Sequence, residues 1–315
     1  MLIRTLNQSP GPENTVSLDY FRQDSLIETV LKNVADIYHL FSLIEEIPFP
    51  DRFCIEEHSL PDNIQKIGEG GLGYIFSAEW GSKKYAIKIG KQASFLHRKL
   101  FKNEAKLQHE SAELRIAPKV ILNSSDKLSG RPYLLMEFVE GATLTDYVEM
   151  ETDGKKILEK FVILAAKLDR LHKEKGIVHR DVKLENVIVN GDVHLIDYGL
   201  SKHLDDKDIL FSSQVGTMKY MAPELFNNQL DFQSDQYNLG MSLYFALTGL
   251  NPFSGTMDWG MVAKKFNLSI YPLQIREKFE KKGKLADIIN KCIEPLPENR
   301  FPACVDVAAE LYSCL

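Results

Sequence analysis

The stretch from Gly176 to Ser201, GIVHRDVKLENVIVNGDVHLIDYGLS, constrains this chain more than any other. Its apolar runs, Ile177-Val178, Val187-Ile188-Val189 and Leu195-Ile196, are too short for helices and read as brief β-strands. Asp181, Lys183, Asn186 and Asp197 stand beside them. A carboxylate taken out of water without a partner costs several kcal/mol. A fold that buries these strands must therefore meet the polar side chains with counter-charges, a metal ion or a phosphate, which points to a site rather than to plain core.

The length of 315 residues suffices for one large domain or two lobes with a substantial apolar interior. Hydrophobic residues at 44% and charged residues at 26% are ordinary for a globular chain. The net charge of -6 argues against a nucleic-acid partner, which calls for a basic face. No apolar run approaches the ~18 residues of a membrane span, so no membrane insertion is expected. The first twenty residues lack the apolar centre of a secretory leader. Cys54, Cys292, Cys304 and Cys314 form no C-x-x-C pair and read as free thiols of a reducing compartment. The expected location is cytoplasmic, with delivery into another cell left open.

Three parts follow one another along the chain. Residues 1–60 form an N-terminal extension that begins as a polar arm. Within it Ile27, Val30, Leu31, Val34, Ile37, Tyr38, Phe41 and Ile44 recur at three- and four-residue spacing, which predicts an amphipathic helix over about 25–46. Ser25 and Glu28 have the capping-box spacing, and Pro48 and Pro50 stop the helix. Its apolar face suits packing on the main body or docking of a partner, and both remain open. Residues 61–139 are rich in short strands, interrupted by one helix over about 94–112. Residues 140–315 are mostly helical. There, LEKFVILAAKLDRLHKEK is amphipathic and ends at Gly176, and DQYNLGMSLYFALTGL is apolar nearly all round and should be buried.

Gly68, Gly70 and Gly73 have G-x-G-x-x-G spacing. Glycine lets backbone amides approach phosphate oxygens, although such spacing alone fits an ordinary hairpin turn equally well. A strand, YIFSAEW, follows where a dinucleotide fold would place a helix, so the loop reads as a hairpin folded over a nucleotide. Lys88 lies in the apolar strand YAIK. A strand lysine commonly snorkels outward; the alternative is an ammonium that grips phosphates while a carboxylate holds it. Glu104 is the fitting partner, ahead of Glu110 and Glu113.

At this point the chain resembles the eukaryotic-type protein kinase family, serine/threonine-specific, over about residues 63–312. GEGGLGYI looks like its glycine-rich loop, YAIK its strand lysine, HRDVKLEN its catalytic loop, DYG its metal motif and APE the end of its activation segment, all in the family's order. The resemblance implies an α+β, bilobal fold, with a small antiparallel-sheet N-lobe, a larger helical C-lobe and here an N-terminal helical extension. It implies ATP as cofactor with Mg²⁺ (Mn²⁺ as the alternative ion), and proteins with serine or threonine as partners. Asp181 would orient the acceptor hydroxyl and take its proton, and Lys183 would neutralise the transferred phosphoryl group. Asn186 and Asp197 would hold the metal, and Lys88, paired to Glu104, would bind the α- and β-phosphates. Ile75, Ala86 and Met136 would line the adenine site with the backbone of Glu137 and Phe138, while the glycine loop covers the phosphates.

Lys183, two residues after Asp181, and Thr217 in GTMKYMAPE mark the serine/threonine class by the same resemblance. Asp235 resembles the buried aspartate that anchors the catalytic loop, and Glu224 and Arg300 the family's buried ion pair. Autophosphorylation is expected at Ser212 or Ser213, where a phosphate would meet Arg180. Glu185 resembles an acid that some members use to read arginine near the target serine. Thr143 stands where such members carry a second acid, so preference for basic substrates stays open. Two positions depart from the pattern. Tyr198 replaces a phenylalanine, and Gln108 stands where the family places an apolar side chain that stacks between helix and sheet.

Overall fold

Glycine-marked turns between short apolar-rich segments build the first half of the fold. The computed structural model describes residues 62–80, 82–125, 130–206, 218–227, 229–253, 265 and 267–315. The extension with its expected helix, and Ser212, Ser213 and Thr217, lie outside these residues. Strands β1 (Asp62–Glu69), β2 (Gly73–Trp80), β3 (Lys83–Gly90), β4 (Val120–Ser125) and β5 (Pro132–Glu137) form an antiparallel sheet in the order β1-β2-β3-β5-β4.

Period-two alternation sends this sheet's side chains to two faces. One face carries Phe76, Ala78, Tyr85, Ile87, Ile89, Tyr133 and Leu135. The other carries Val120 and Leu134, which pack with Phe101 and Ala105 of helix α1 (Phe95–Glu113). Ser94 caps α1 by accepting from the backbone N–H of His97, as a residue with a short side-chain oxygen does at an N-cap. The helix thus lies across β4 and β5, with Glu104 and Gln108 among its buried residues.

The second half is helical. Strand β6 (Ala142–Thr143) leads into α2 (Leu144–Met150), followed by α3 (Gly154–Lys175), α4 (Gln233–Thr248), α5 (Lys282–Cys292) and α6 (Cys304–Tyr312). Helix α3 stops at Gly176, whose φ of 64° suits a residue without Cβ. Helix α4 is buried on nearly every side, as its unbroken apolarity requires. One large cluster of apolar side chains unites α3, α4, α5 and α6 with the short strands.

Those strands lie between the halves. β7 (Ile177–Val178) pairs with β10 (Lys202–His203), and β8 (Val187–Val189) lies between β6 and β9 (Val193–Leu195). The expected division into a sheet-built lobe and a larger helical lobe is therefore what the structure shows. The connections between these short strands carry the polar residues of Gly176–Ser201.

Candidate active site

The loop after β7 is held from below. Asp235, fully buried near the start of α4, accepts from the backbone N–H groups of His179 and Arg180, both at 2.7 Å. Its Oδ2 also lies 2.9 Å from His172 Nε2 on α3, and the His172 ring stacks on Phe232 at 4.8 Å. Burial alone would raise the Asp235 carboxyl; its bonds to His172 and the charge and backbone of His179 reverse this and hold it below the ordinary range. The loop needs such an anchor because Arg180 has φ of 69° and Asp197 φ of 64°. The left-handed region costs a non-glycine residue about 1 kcal/mol or more.

Lys88 does not snorkel. Its Nζ is buried between two carboxylates, donating to Glu104 Oε1 at 2.6 Å and to Asp197 Oδ1 at 2.8 Å. Strand β3 supplies the lysine, α1 the first carboxylate and the segment after β9 the second. Burial would lower the Lys88 ammonium; Asp197 and Glu104 outweigh it and keep the lysine charged. Asp197, whose side chain is 31% exposed, is held at about 2, burial being overcome by Lys88. Burial pushes Glu104 up against the pull of Lys88. The other two acids of α1 turn elsewhere, Glu110 to His203 at 3.3 Å and Glu113 to Lys175.

A second cluster lies across from this one in the same 176–201 stretch. Asp181 Oδ2 accepts from Lys183 Nζ at 2.7 Å and from Asn186 Nδ2 at 2.8 Å. Asp181 Oδ1 is buried and has no hydrogen-bond partner among the described residues. Burial raises the Asp181 carboxyl, with Lys183 opposing. The amide nitrogen of Asn186 is engaged by Asp181, which leaves its oxygen as the atom available to an ion. Asn186 and Asp197 together offer a small set of hard oxygen donors, which fits Mg²⁺, an ion that keeps waters and substrate phosphates as its other ligands. Among the described residues no group of three or more His, Cys, Asp or Glu could hold a metal by itself.

Above the clusters, Gly68, Gly70 and Gly73 shape the β1–β2 hairpin, where the Gly70 N–H donates to Gly73 O at 2.9 Å. Gly73 is required by close approach: a Cβ there would stand 2.6 Å from the backbone oxygen of Ile89. A Cβ at Gly70 would meet nothing within 4 Å, so the tip is open. Ile75 lies opposite Lys88 in the ladder and Ala86 opposite Met136, which puts these residues on adjoining strands. Glu137 and Phe138 begin the crossing to the helical lobe. A cavity of about 680 Å³ touches both, but its other walls, among them His109, Lys119, Asp192 and His194, include none of the two clusters.

Both departures are accommodated. Gln108 is buried and donates through Nε2 to Pro118 O at 3.0 Å and to Met136 Sδ at 3.4 Å. It bridges α1 to the segment before β4 and to β5 with polar contacts where stacking alone was expected. Tyr198 is fully buried and meets His179 edge to face at 4.7 Å. Arg180 is buried and donates to Leu200 O at 3.1 Å. Arg300 grips Glu224 with two bonds of 2.8 Å.

Sequence reasoning missed three residues. His172 supports Asp235, and only its place on the buried face of α3 hinted at that. Lys219 and Tyr220, inside the quoted GTMKYMAPE, both reach Glu185, at 3.7 Å and 3.1 Å. Their signal was a cation and a phenol close to a motif already recognised.

The family model described as protein kinase domain matches residues 62–311 of the chain. A probable serine/threonine-protein kinase of Clostridium perfringens is 29% identical over 262 residues, covering 79% of this chain and 37% of that protein. Serine/threonine-protein kinase PknF of Mycobacterium tuberculosis is 29% identical over 269 residues, covering 79% of this chain and 55% of PknF. A probable serine/threonine-protein kinase PknB of Lactococcus lactis is 29% identical over 269 residues, 80% of this chain and 40% of that protein. The alignments with these relatives span between 37% and 55% of their length.

Proposed function

The chain belongs to the protein kinase family, and on that premise we propose that it transfers the γ-phosphoryl group of ATP to serine and threonine hydroxyls of proteins, its own included. The observation that carries this reading is the pair of buried clusters, Lys88–Glu104–Asp197 and Asp181–Lys183–Asn186. Phosphoryl transfer asks for positioning and for cations around developing charge more than for covalent chemistry.

In this reading the acceptor oxygen bonds to the γ-phosphorus as its proton passes to Asp181, and the bond from that phosphorus to the bridging oxygen of ADP breaks. Asp181 Oδ1, buried and without a hydrogen-bond partner among the described residues, is the atom for that proton. Lys183, already against Asp181, neutralises the transferred group. Lys88 holds the α- and β-phosphates, and Glu104, its closer carboxylate partner, fixes its position on the helix side. Mg²⁺ on Asn186 and Asp197 would supply charge neutralisation for the nucleotide. The open tip at Gly70 covers the phosphates, and Ile75, Ala86 and Met136 with the backbone of Glu137 and Phe138 receive the adenine. Ser212 or Ser213 is the site of self-modification, with Arg180 as the receiving cation. Such a protein works where ATP is found, in the cytoplasm, which suits the free thiols of Cys292, Cys304 and Cys314.

Intact mass spectrometry after incubation with ATP and Mg²⁺ tests the reading, with Asp181→Asn alongside. Added phosphate mass on the wild type alone is the expected result. No added mass on either, with nucleotide still bound, would replace the enzyme by a nucleotide-binding scaffold on the same fold.

A further inference from the structure

We propose that Lys219 masks Glu185 and thereby sets the charge preference of the acceptor groove, so that the protein segments it phosphorylates are not selected for basic residues. The proposal rests on the kinase reading above and concerns the substrate class of that same site.

Glu185 stands four residues after Asp181 on the short turn Leu184–Asn186, whose Asn186 is bonded to Asp181. A carboxylate there, with its side chain 47% exposed, lies beside any segment that presents a hydroxyl to Asp181. Left alone it would attract arginine or lysine from that segment. It is not alone. Lys219 Nζ stands 3.7 Å from Oε1, and the Tyr220 hydroxyl donates to Oε2 at 3.1 Å.

Most surface ion pairs are loose and contribute little. This one is framed. The Lys219 ammonium sits 4.9 Å from the Tyr220 ring and 5.1 Å from the Phe245 ring, two π faces that favour a cation at this spot. The backbone that carries it is tied down as well: Asn238 Nδ2 donates to Tyr220 O at 2.6 Å, and Lys265 Nζ to Lys219 O at 3.1 Å. An incoming basic side chain must therefore displace a seated ammonium to reach Glu185. With Lys219 32% exposed, an acidic side chain meets a cation at the same rim. Asp181 and Lys183 likewise pair with each other. Among the described residues, the two pairs around the acceptor position each balance one charge with its opposite, so together they carry little net sign.

The test uses the full chain as wild type, Lys219→Gln, Glu185→Gln and the double variant. The substrates are three sets of single-serine peptides with arginine, alanine or glutamate at each position within four residues of the serine. The quantity read is the ratio of kcat/KM for arginine over glutamate peptides by one enzyme, which cancels any loss of active protein. The wild type should show a ratio near one at every position. Lys219→Gln should raise it about fivefold at one or two positions, Glu185→Gln should shift it about fivefold toward glutamate, and the double variant should return it toward the wild-type value. Both shifts should shrink at high salt. If Lys219→Gln does not fold, Glu185→Gln carries the test with opposite sign. A ratio unchanged in the variants, or a wild type that already selects arginine strongly, overturns the proposal while leaving the kinase reading intact. Absence of transfer to any peptide and to the chain itself overturns the kinase reading, and this proposal with it.

Discussion

Gln108 shows how one side chain can take over a role by different chemistry. It lies one helical turn beyond Glu104, so whatever fixes Gln108 also fixes the carboxylate that holds Lys88. Its amide bonds to Pro118 O and Met136 Sδ join α1 to both its neighbours. Gln108→Ala should leave the Pro118 carbonyl unpaired beside a new void and lower stability by about 2–4 kcal/mol. It should lower kcat too, because Glu104 loses its brace. Gln108→Leu keeps the volume and should cost only about 1 kcal/mol. Denaturant unfolding with steady-state kinetics reads both, and an Ala variant that unfolds at the wild-type midpoint would show that the amide holds nothing. The pairing of Lys88 with Glu104 could be read from an apolar strand followed by a helix with a carboxylate on its inner face. The partner of Gln108 could not, because Pro118 lies beyond the end of the helix and only tertiary folding brings it back.

Elements differ in the same way. Four of the five sheet strands and the helices α1 and α3 were legible from short apolar-rich runs or a 3.6-residue period with glycine, serine or proline at their ends. Strand β4, VILNSS, was not, because its second half is polar and carries no alternation. The two-residue strands β6 and β10 carry no pattern of their own. Ala142–Thr143 becomes a strand because β8 lies beside it, and Lys202–His203 because β7 does. Helix α4 was legible as buried, yet its function at the site comes from one polar residue, Asp235, whose carboxylate takes the backbone N–H groups of His179 and Arg180. Asp235→Asn replaces an acceptor with a donor facing those N–H groups and should cost about 3 kcal/mol at neutral pH. The sign of the pH dependence follows from the depressed carboxyl. The unfolded chain binds the proton more readily, so the stabilisation is present above the ordinary value of 3.8 and is lost as pH falls below it toward the folded value. Unfolding by urea from neutral pH down to about pH 3 should therefore show a steeper acid loss in the wild type than in Asp235→Asn. Parallel profiles would mean that other carboxylates carry the acid sensitivity.

Across the whole molecule the apolar interior is unequal. The helical lobe holds one broad cluster, while the sheet lobe holds two small ones on opposite faces of a single sheet. Global stability should therefore rest on the helical lobe, and its most deeply buried ion pair is a place to test that. Glu224 and Arg300 are 76 positions apart, and their pairing could be anticipated only from the family resemblance, since neither has a telling neighbour. In the structure Arg300 does more than pair. It also donates to the backbone oxygens of Gln233, Glu294 and Pro295, so one guanidinium joins the start of α4 to the segment leading into α6. Arg300→Met should strand the Glu224 carboxylate in the interior and cost about 3–5 kcal/mol, a large part of the roughly 5–15 kcal/mol that holds a typical domain together. Arg300→Lys keeps the charge but loses the fork of two bonds, and should cost less. Combining Arg300→Met with Glu224→Gln should recover part of the loss, giving a coupling of about 1–3 kcal/mol in a double-mutant cycle. Single losses that simply add would mean that Arg300 acts through the three carbonyls and that the ion pair contributes nothing of its own.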